Sequence, residues 1–128
     1  MMQKKSKYIL EYTLKTSPKV LFERLSTPGG MSEWFADDVN IKNDIYTFIW
    51  NGSSLEAELL TLKPEKYVKY RWLDDKEKNF FEFKIDVQDL TGEVTLIITD
   101  FAEDDEITEA KELWNHSISE LKHTLGIV

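Results

Sequence analysis

The sequence predicts an α+β domain in which an antiparallel sheet of six or seven strands buries one face against a single long C-terminal helix. Three observations lead there. Short runs rich in β-branched and aromatic residues recur between residues 45 and 100, each closed by a turn signal. Residues 105–125 carry apolar side chains at helical spacing. A chain of 128 residues suits one domain, residues 1–128, so both patterns must serve one core.

Residues 7–14 read as the first strand. Ser17-Pro18 then opens a helix, because Pro loses no needed N–H at the first helical position and Ser can cap it. Val20, Leu21, Phe22 and Leu25 form its apolar stripe. Pro28 and Gly29-Gly30 break it, and a short second helix over 30–35 ends in Trp34-Phe35. The meander follows. Strand 45–50 is bounded by Asn43-Asp44 and by Asn51-Gly52, a strong hairpin dipeptide. Strand 55–62 stops before Pro64, strand 67–72 stops at Asp74-Asp75, and strands 80–87 and 93–100 flank Leu90-Thr91-Gly92. In the last helix, Ile107, Ala110, Ile118, Leu121 and Leu125 lie within about 40° of Trp114 at ~100° per residue. Leu113 and Ser117 widen that stripe, acidic residues at the start suit the helix dipole, and Gly126 ends it.

Composition narrows the function. The net charge is −8, and the whole deficit falls in residues 65–128. Asp100, Glu103, Asp104, Asp105, Glu106, Glu109 and Glu112 crowd one segment against Lys111 alone. Nucleic acid binding needs a cationic face, which this chain lacks. With no cysteine, disulfides, zinc–thiolate sites and thiol nucleophiles are excluded. No apolar run reaches the ~18–20 residues of a membrane helix. Lys4, Lys5 and Lys7 precede an apolar stretch too short for a signal peptide, so a cytoplasmic location is expected.

The element order and four segments resemble the helix-grip fold of the START-like superfamily, shared with the birch pollen allergen and polyketide cyclases. The branch it is most similar to is the family of the activator of heat-shock-protein ATPase. The segments are Ser17-Pro18-Lys19-Val20-Leu21-Phe22, then Thr27-Pro28-Gly29-Gly30-Met31-Ser32-Glu33-Trp34-Phe35, then Lys66-Tyr67-Val68-Lys69-Tyr70-Arg71-Trp72, then the closing helix at Trp114, Ile118 and Leu121. Leu113 departs from the Gly that often precedes this Trp in the family. The resemblance implies a sheet curled around the last helix, with a cavity between them or a filled core.

Strand alternation says what faces that space. Tyr46, Phe48 and Trp50 share one side, as do Val68, Tyr70 and Trp72, then Phe81, Phe83 and Ile85, then Val94, Leu96, Ile98 and Asp100. Such a face, apolar and aromatic with few polar groups, suits a small-molecule pocket, and equally an ordinary packed core. The candidate ligand-binding set is Trp34, Phe35, Phe48, Trp50, Tyr70, Trp72, Phe83, Asp100 and Trp114, with Trp34-Phe35 closing one end. Asp100 is either a polar anchor at the mouth or a solvated residue beyond the strand end. Trp114, heading the helical stripe, is expected to be buried.

His116 and His123 fall on the far side of the helix, facing water, so no metal site is expected. No nucleophile motif or phosphate loop is present, no cofactor is implied, and the inner faces hold no His, Lys, Arg or Cys for general acid–base work. Three functions stay open. The first is a module binding a small apolar or amphipathic ligand. The second, by resemblance, is a co-chaperone-like domain that binds a protein partner, for which the acidic segment 100–112 is a candidate docking face. The third is a cyclase- or hydrolase-type enzyme.

Overall fold

The computed structural model describes residues 5–74 and 79–128. Lys4 and Asp75, used above as a basic start and a turn signal, lie outside them. The elements run β1 (Lys5–Leu14), α1 (Pro18–Ser26), α2 (Pro28–Met31), β2 (Asp38–Lys42), β3 (Ile45–Trp50), β4 (Ser53–Lys63), β5 (Tyr67–Trp72), β6 (Phe80–Val87), β7 (Val94–Glu103) and α3 (Ile107–Leu125). All seven strands form one antiparallel sheet in the order β1-β7-β6-β5-β4-β3-β2. Among the described residues, no helix is long and apolar enough to cross a membrane.

Local chemistry sets most element ends. The Ser17 hydroxyl accepts the Val20 N–H at 3.2 Å and caps α1. Asn51 and Gly52 both take positive φ, which matches the twist of a two-residue hairpin between β3 and β4. Gly126 adopts the left-handed conformation that closes α3.

Several boundaries differ from the expectation. The second helix is α2, four residues from Pro28 to Met31, and not 30–35; Trp34 and Phe35 follow it in a turn. Thr27 explains the early start, because its hydroxyl accepts the Gly30 N–H at 2.9 Å and its backbone caps from one residue before Pro28. Strand β2 was not foreseen; Asn43-Asp44, read as a strand boundary, is the hairpin that joins β2 to β3. Strand β7 continues three residues past Asp100 because Ser6 and Lys5 of β1 pair with Ala102 and Glu103. A 3-10 turn over Asp104–Glu106 precedes α3, so only Glu109 of the acidic cluster sits in its first turn.

The alternation of the strands holds. Phe48, Val68, Tyr70, Phe83, Leu96 and Ile98 are wholly buried, while Lys69, Arg71, Glu82 and Lys84 take the outer face. There Arg71 pairs with Glu58 at 3.1 Å and the Lys69 ammonium lies 3.9 Å from the Phe80 ring centre. The register of β4 on β5 slips between Leu59 and Thr61, a bulge that helps the sheet bend around the core. From α3, Ile118 and Leu121 are buried and Leu125 is partly so. Leu113 does not widen the buried stripe: it is 63% exposed. Trp114 is half-buried, not buried, since its indole rests at the edge of the core.

The end of α1 is tied to the sheet by its carbonyls. A helix leaves its last four C=O groups without intrahelical donors. Here Glu23 O accepts from Thr27, Arg24 O from the Trp34 indole at 2.7 Å, Leu25 O from the Tyr70 hydroxyl at 2.8 Å and Ser26 O from the Tyr46 hydroxyl at 2.7 Å. Two buried phenols of the sheet thus complete the buried side of this helix end. This fixes α1 and the segment behind it over the sheet.

Candidate functional site

Because β7 runs to Glu103, Asp100 is a strand residue on the inner face and not a solvated turn. Tyr8 lies directly opposite it on β1. The Tyr8 hydroxyl donates to Asp100 Oδ2 at 2.9 Å. From across the core, the Trp114 Nε1–H donates to the same oxygen at 2.9 Å and lies 3.1 Å from the Tyr8 hydroxyl. One carboxylate therefore joins β1, β7 and α3.

Burial raises the Asp100 carboxyl above its ordinary value, because the charged form loses water. Donors from Trp114, the Phe101 backbone and Tyr8, and then the charge of Lys5, oppose that rise without cancelling it. The Tyr8 phenol is raised too, by burial first and by the Asp100 charge second.

The remaining walls are aromatic. Phe35 is held beneath the helix by the turn after α2, and its carbonyl accepts the Trp50 indole N–H at 2.8 Å. Its ring stacks 5.9 Å from Trp114, meets Trp50 edge-on at 5.6 Å and meets Phe48 edge-on at 5.0 Å. Between these groups and α3 lies an open groove of about 330 Å³. Tyr8, Phe35, Trp50, Asp100 and Trp114 line it, and Ala110, Leu113, His116 and Ser117 form its helical lip. A second cleft of about 450 Å³ shares Phe35, Trp50, His116 and Ser117 and continues past Trp34 to Glu33, Asp37 and Glu120. A larger depression of about 660 Å³, between the β4–β5 turn and the end of β6, is lined by Lys63, Glu65, Lys66, Lys84 and Asp86, with Tyr67 its one aromatic residue.

The nine candidate residues separate by depth. Phe35, Trp50, Asp100 and Trp114 line the groove, and Trp34 lines the neighbouring cleft. Phe48, Tyr70 and Phe83 lie below in a filled aromatic layer, where Tyr70 stacks on Phe81 at 5.0 Å. Trp72, half-buried, packs on Phe81 at 4.8 Å and on Phe48 at 5.8 Å. Among the described residues, the open space beside this layer thus lies at its rim. Tyr8 was missed, although its parity with Leu10 and Leu14 on β1 puts it on the inner face. His116 is exposed, as expected, yet borders both clefts.

Chemically, the groove offers apolar and π surfaces around one hydrogen-bonded carboxylate. Nearby, carboxylate oxygens of Glu103, Asp105 and Glu106 lie within 4.8 Å of one another, with Asp105 and Glu106 exposed and Glu103 partly buried.

The sequence profile of the START-like superfamily domain matches residues 2–127. Among solved structures, a Bacteroides fragilis protein studied by solution NMR is 38% identical, with a TM-score of 0.70, covering 99% of this chain and 95% of that one. The Aha1 dimer from Colwellia psychrerythraea is 18% identical at a TM-score of 0.78, covering 91% of this chain and 93% of that one. DynU16, a protein of the dynemicin biosynthetic locus, is 14% identical at a TM-score of 0.79, covering 94% of this chain and 47% of that one. The last two likenesses are of fold alone. None of the curated proteins matches the chain.

Proposed function

The chain belongs to the START-like superfamily, and from that premise we propose that it binds a small amphipathic molecule in the groove between the sheet and α3. The observation that carries this is the composition of the groove: Phe35, Trp50, Tyr8 and Trp114 around the single carboxylate of Asp100. Binding sites of this kind combine a mostly apolar wall with a few placed polar groups. The filled layer of Phe48, Tyr70 and Phe83 sets a limit: the ligand is short and sits at the rim.

Two of the four tryptophans line the groove, so occupancy should quench or shift their emission. Burial of apolar surface should also give a negative heat-capacity change in calorimetry. Native mass spectrometry of the purified protein should reveal any retained small molecule. Tryptophan emission unmoved by a series of short apolar and amphipathic probes would refute the reading.

A second reading is recognition of a basic protein partner by the acidic segment 100–112. The converging carboxylates of partly buried Glu103 and exposed Asp105 and Glu106 favour it, as such a surface steers a cationic partner. The likeness to the Aha1 dimer fits this reading. Replacing these three residues by Gln should then weaken partner capture and leave the tryptophan response to small probes intact.

A further inference from the structure

We infer that the ligand of this groove is an organic ammonium ion: the Asp100 carboxyl group lines it together with the aromatic side chains of Tyr8, Phe35, Trp50 and Trp114. This rests on the small-molecule reading above and names its ligand class.

Three features converge on a cation. The first is the π surface. Aromatic faces carry negative quadrupole potential and attract a cation within about 6 Å, most strongly where water is excluded. Phe35 and Trp114 are stacked 5.9 Å apart, and Trp50 meets Phe35 at 5.6 Å, so several ring systems border one small volume. The second is the carboxylate. Its Oδ2 already accepts from two neutral donors, Tyr8 and Trp114, which orient it and bring no positive charge of their own. Burial disfavours the charged form of this carboxyl, and an ammonium ion beside it would favour that form as no neutral alcohol or hydrocarbon could. Lys5 contributes some positive potential from β1, but it does not line the groove.

The third is the approach. The neighbouring cleft is bordered by Glu33, Asp37 and Glu120, and the chain carries −8. Arg24 is already engaged by Glu33 at 2.8 Å. Among the described residues lining the two clefts there is no Lys or Arg, and His116 is the sole basic side chain. Anionic amphiphiles, such as fatty acids, would therefore enter against the field, and ammonium ions with it. A volume of about 330 Å³ suits a compact ammonium head with a short apolar body.

The test compares choline with dimethylbutanol, its uncharged carbon isostere, on the intact wild-type protein. The Trp114 indole N–H signal in a heteronuclear NMR spectrum reports occupancy at the carboxylate. Choline should shift that signal and bind at least ~10-fold more tightly than the isostere, corresponding to ~1.4 kcal/mol, within the range of a desolvated cation–π contact. Asp100→Asn should bring the two compounds close to parity, as should Trp50→Leu in part. If the isostere binds as well as choline, or if choline leaves the indole signal unmoved, the ammonium assignment is wrong. The small-molecule reading falls separately, only if short neutral and anionic amphiphiles fail as well.

Discussion

Replacing Tyr70 by Phe removes one hydroxyl from the centre of the fold, whose strongest contact is to Leu25 O and whose weaker one is to Met31 Sδ at 3.5 Å. The ring is fully buried and stays in place, stacked on Phe81, so apolar burial is unchanged. What disappears is the hydroxyl that donates to Leu25 O at 2.8 Å. That carbonyl is one of the four orphans at the end of α1, and the helix has no other donor to offer it. Removing one partner of a buried pair costs about 1–3 kcal/mol, because the acceptor keeps its desolvation penalty. At about 2.1 cal/mol/K per residue, the unfolding entropy of this chain is ~270 cal/mol/K, so each kcal/mol lowers Tm by ~4 °C. Tyr70→Phe should therefore lower Tm by roughly 4–11 °C in calorimetry. Tyr46→Phe, which frees Ser26 O, should fall in the same range. The rings of Tyr46 and Tyr70 meet at 5.0 Å, so the double variant should depart from additivity. A Tm within about a degree of wild type for both single variants would show that water reaches the α1 terminus and that the phenols do not anchor it.

Gly30→Ala should be destabilising by ~1–3 kcal/mol or more, because a Cβ there would lie 2.2 Å from Glu23 O and 2.9 Å from Arg24 Cα. Gly29→Ala meets nothing within 4 Å and should be neutral or slightly stabilising in the same denaturant titration. Ser17→Ala should cost about 1 kcal/mol by loss of the α1 cap, seen as a lower urea midpoint at unchanged slope. Asp100 should make stability fall as pH rises. Its carboxyl is raised in the folded state, so the native protein holds a proton that the unfolded chain releases near 3.8. The stabilising contribution is complete below that value and is lost as pH climbs through the raised folded value. Asp100→Asn should remove this slope, so the Tm difference between Asn variant and wild type should shift in favour of the variant with increasing pH. A difference constant across that window would contradict the assigned environment of Asp100.

Local sequence alone determined the parts of this protein that depend on neighbours along the chain. Ser17-Pro18, Asn51-Gly52 and Gly126 marked ends that the backbone obeys, because caps and left-handed turns are decided within a few residues. Alternation placed Tyr46, Phe48, Tyr70, Phe83, Ile98 and Asp100 on the inner side, since a strand has only two faces. Strand β2 escaped detection because Val39 and Ile41 are its only apolar residues, and edge pairing with β3 rather than composition makes it a strand. Leu113 was misplaced because a helical wheel gives direction but not how far the sheet reaches around the helix. The same limit separates groove from core. Parity treats Tyr70, Phe83 and Trp50 alike, yet sheet curvature and the position of Phe35 bury the first two and leave Trp50 at an opening. Only the register of β1 on β7 brought Tyr8 opposite Asp100, and only the seating of α3 added the Trp114 indole to the same oxygen. Contacts between residues some ninety positions apart depend on chain closure in three dimensions, and no local period encodes them.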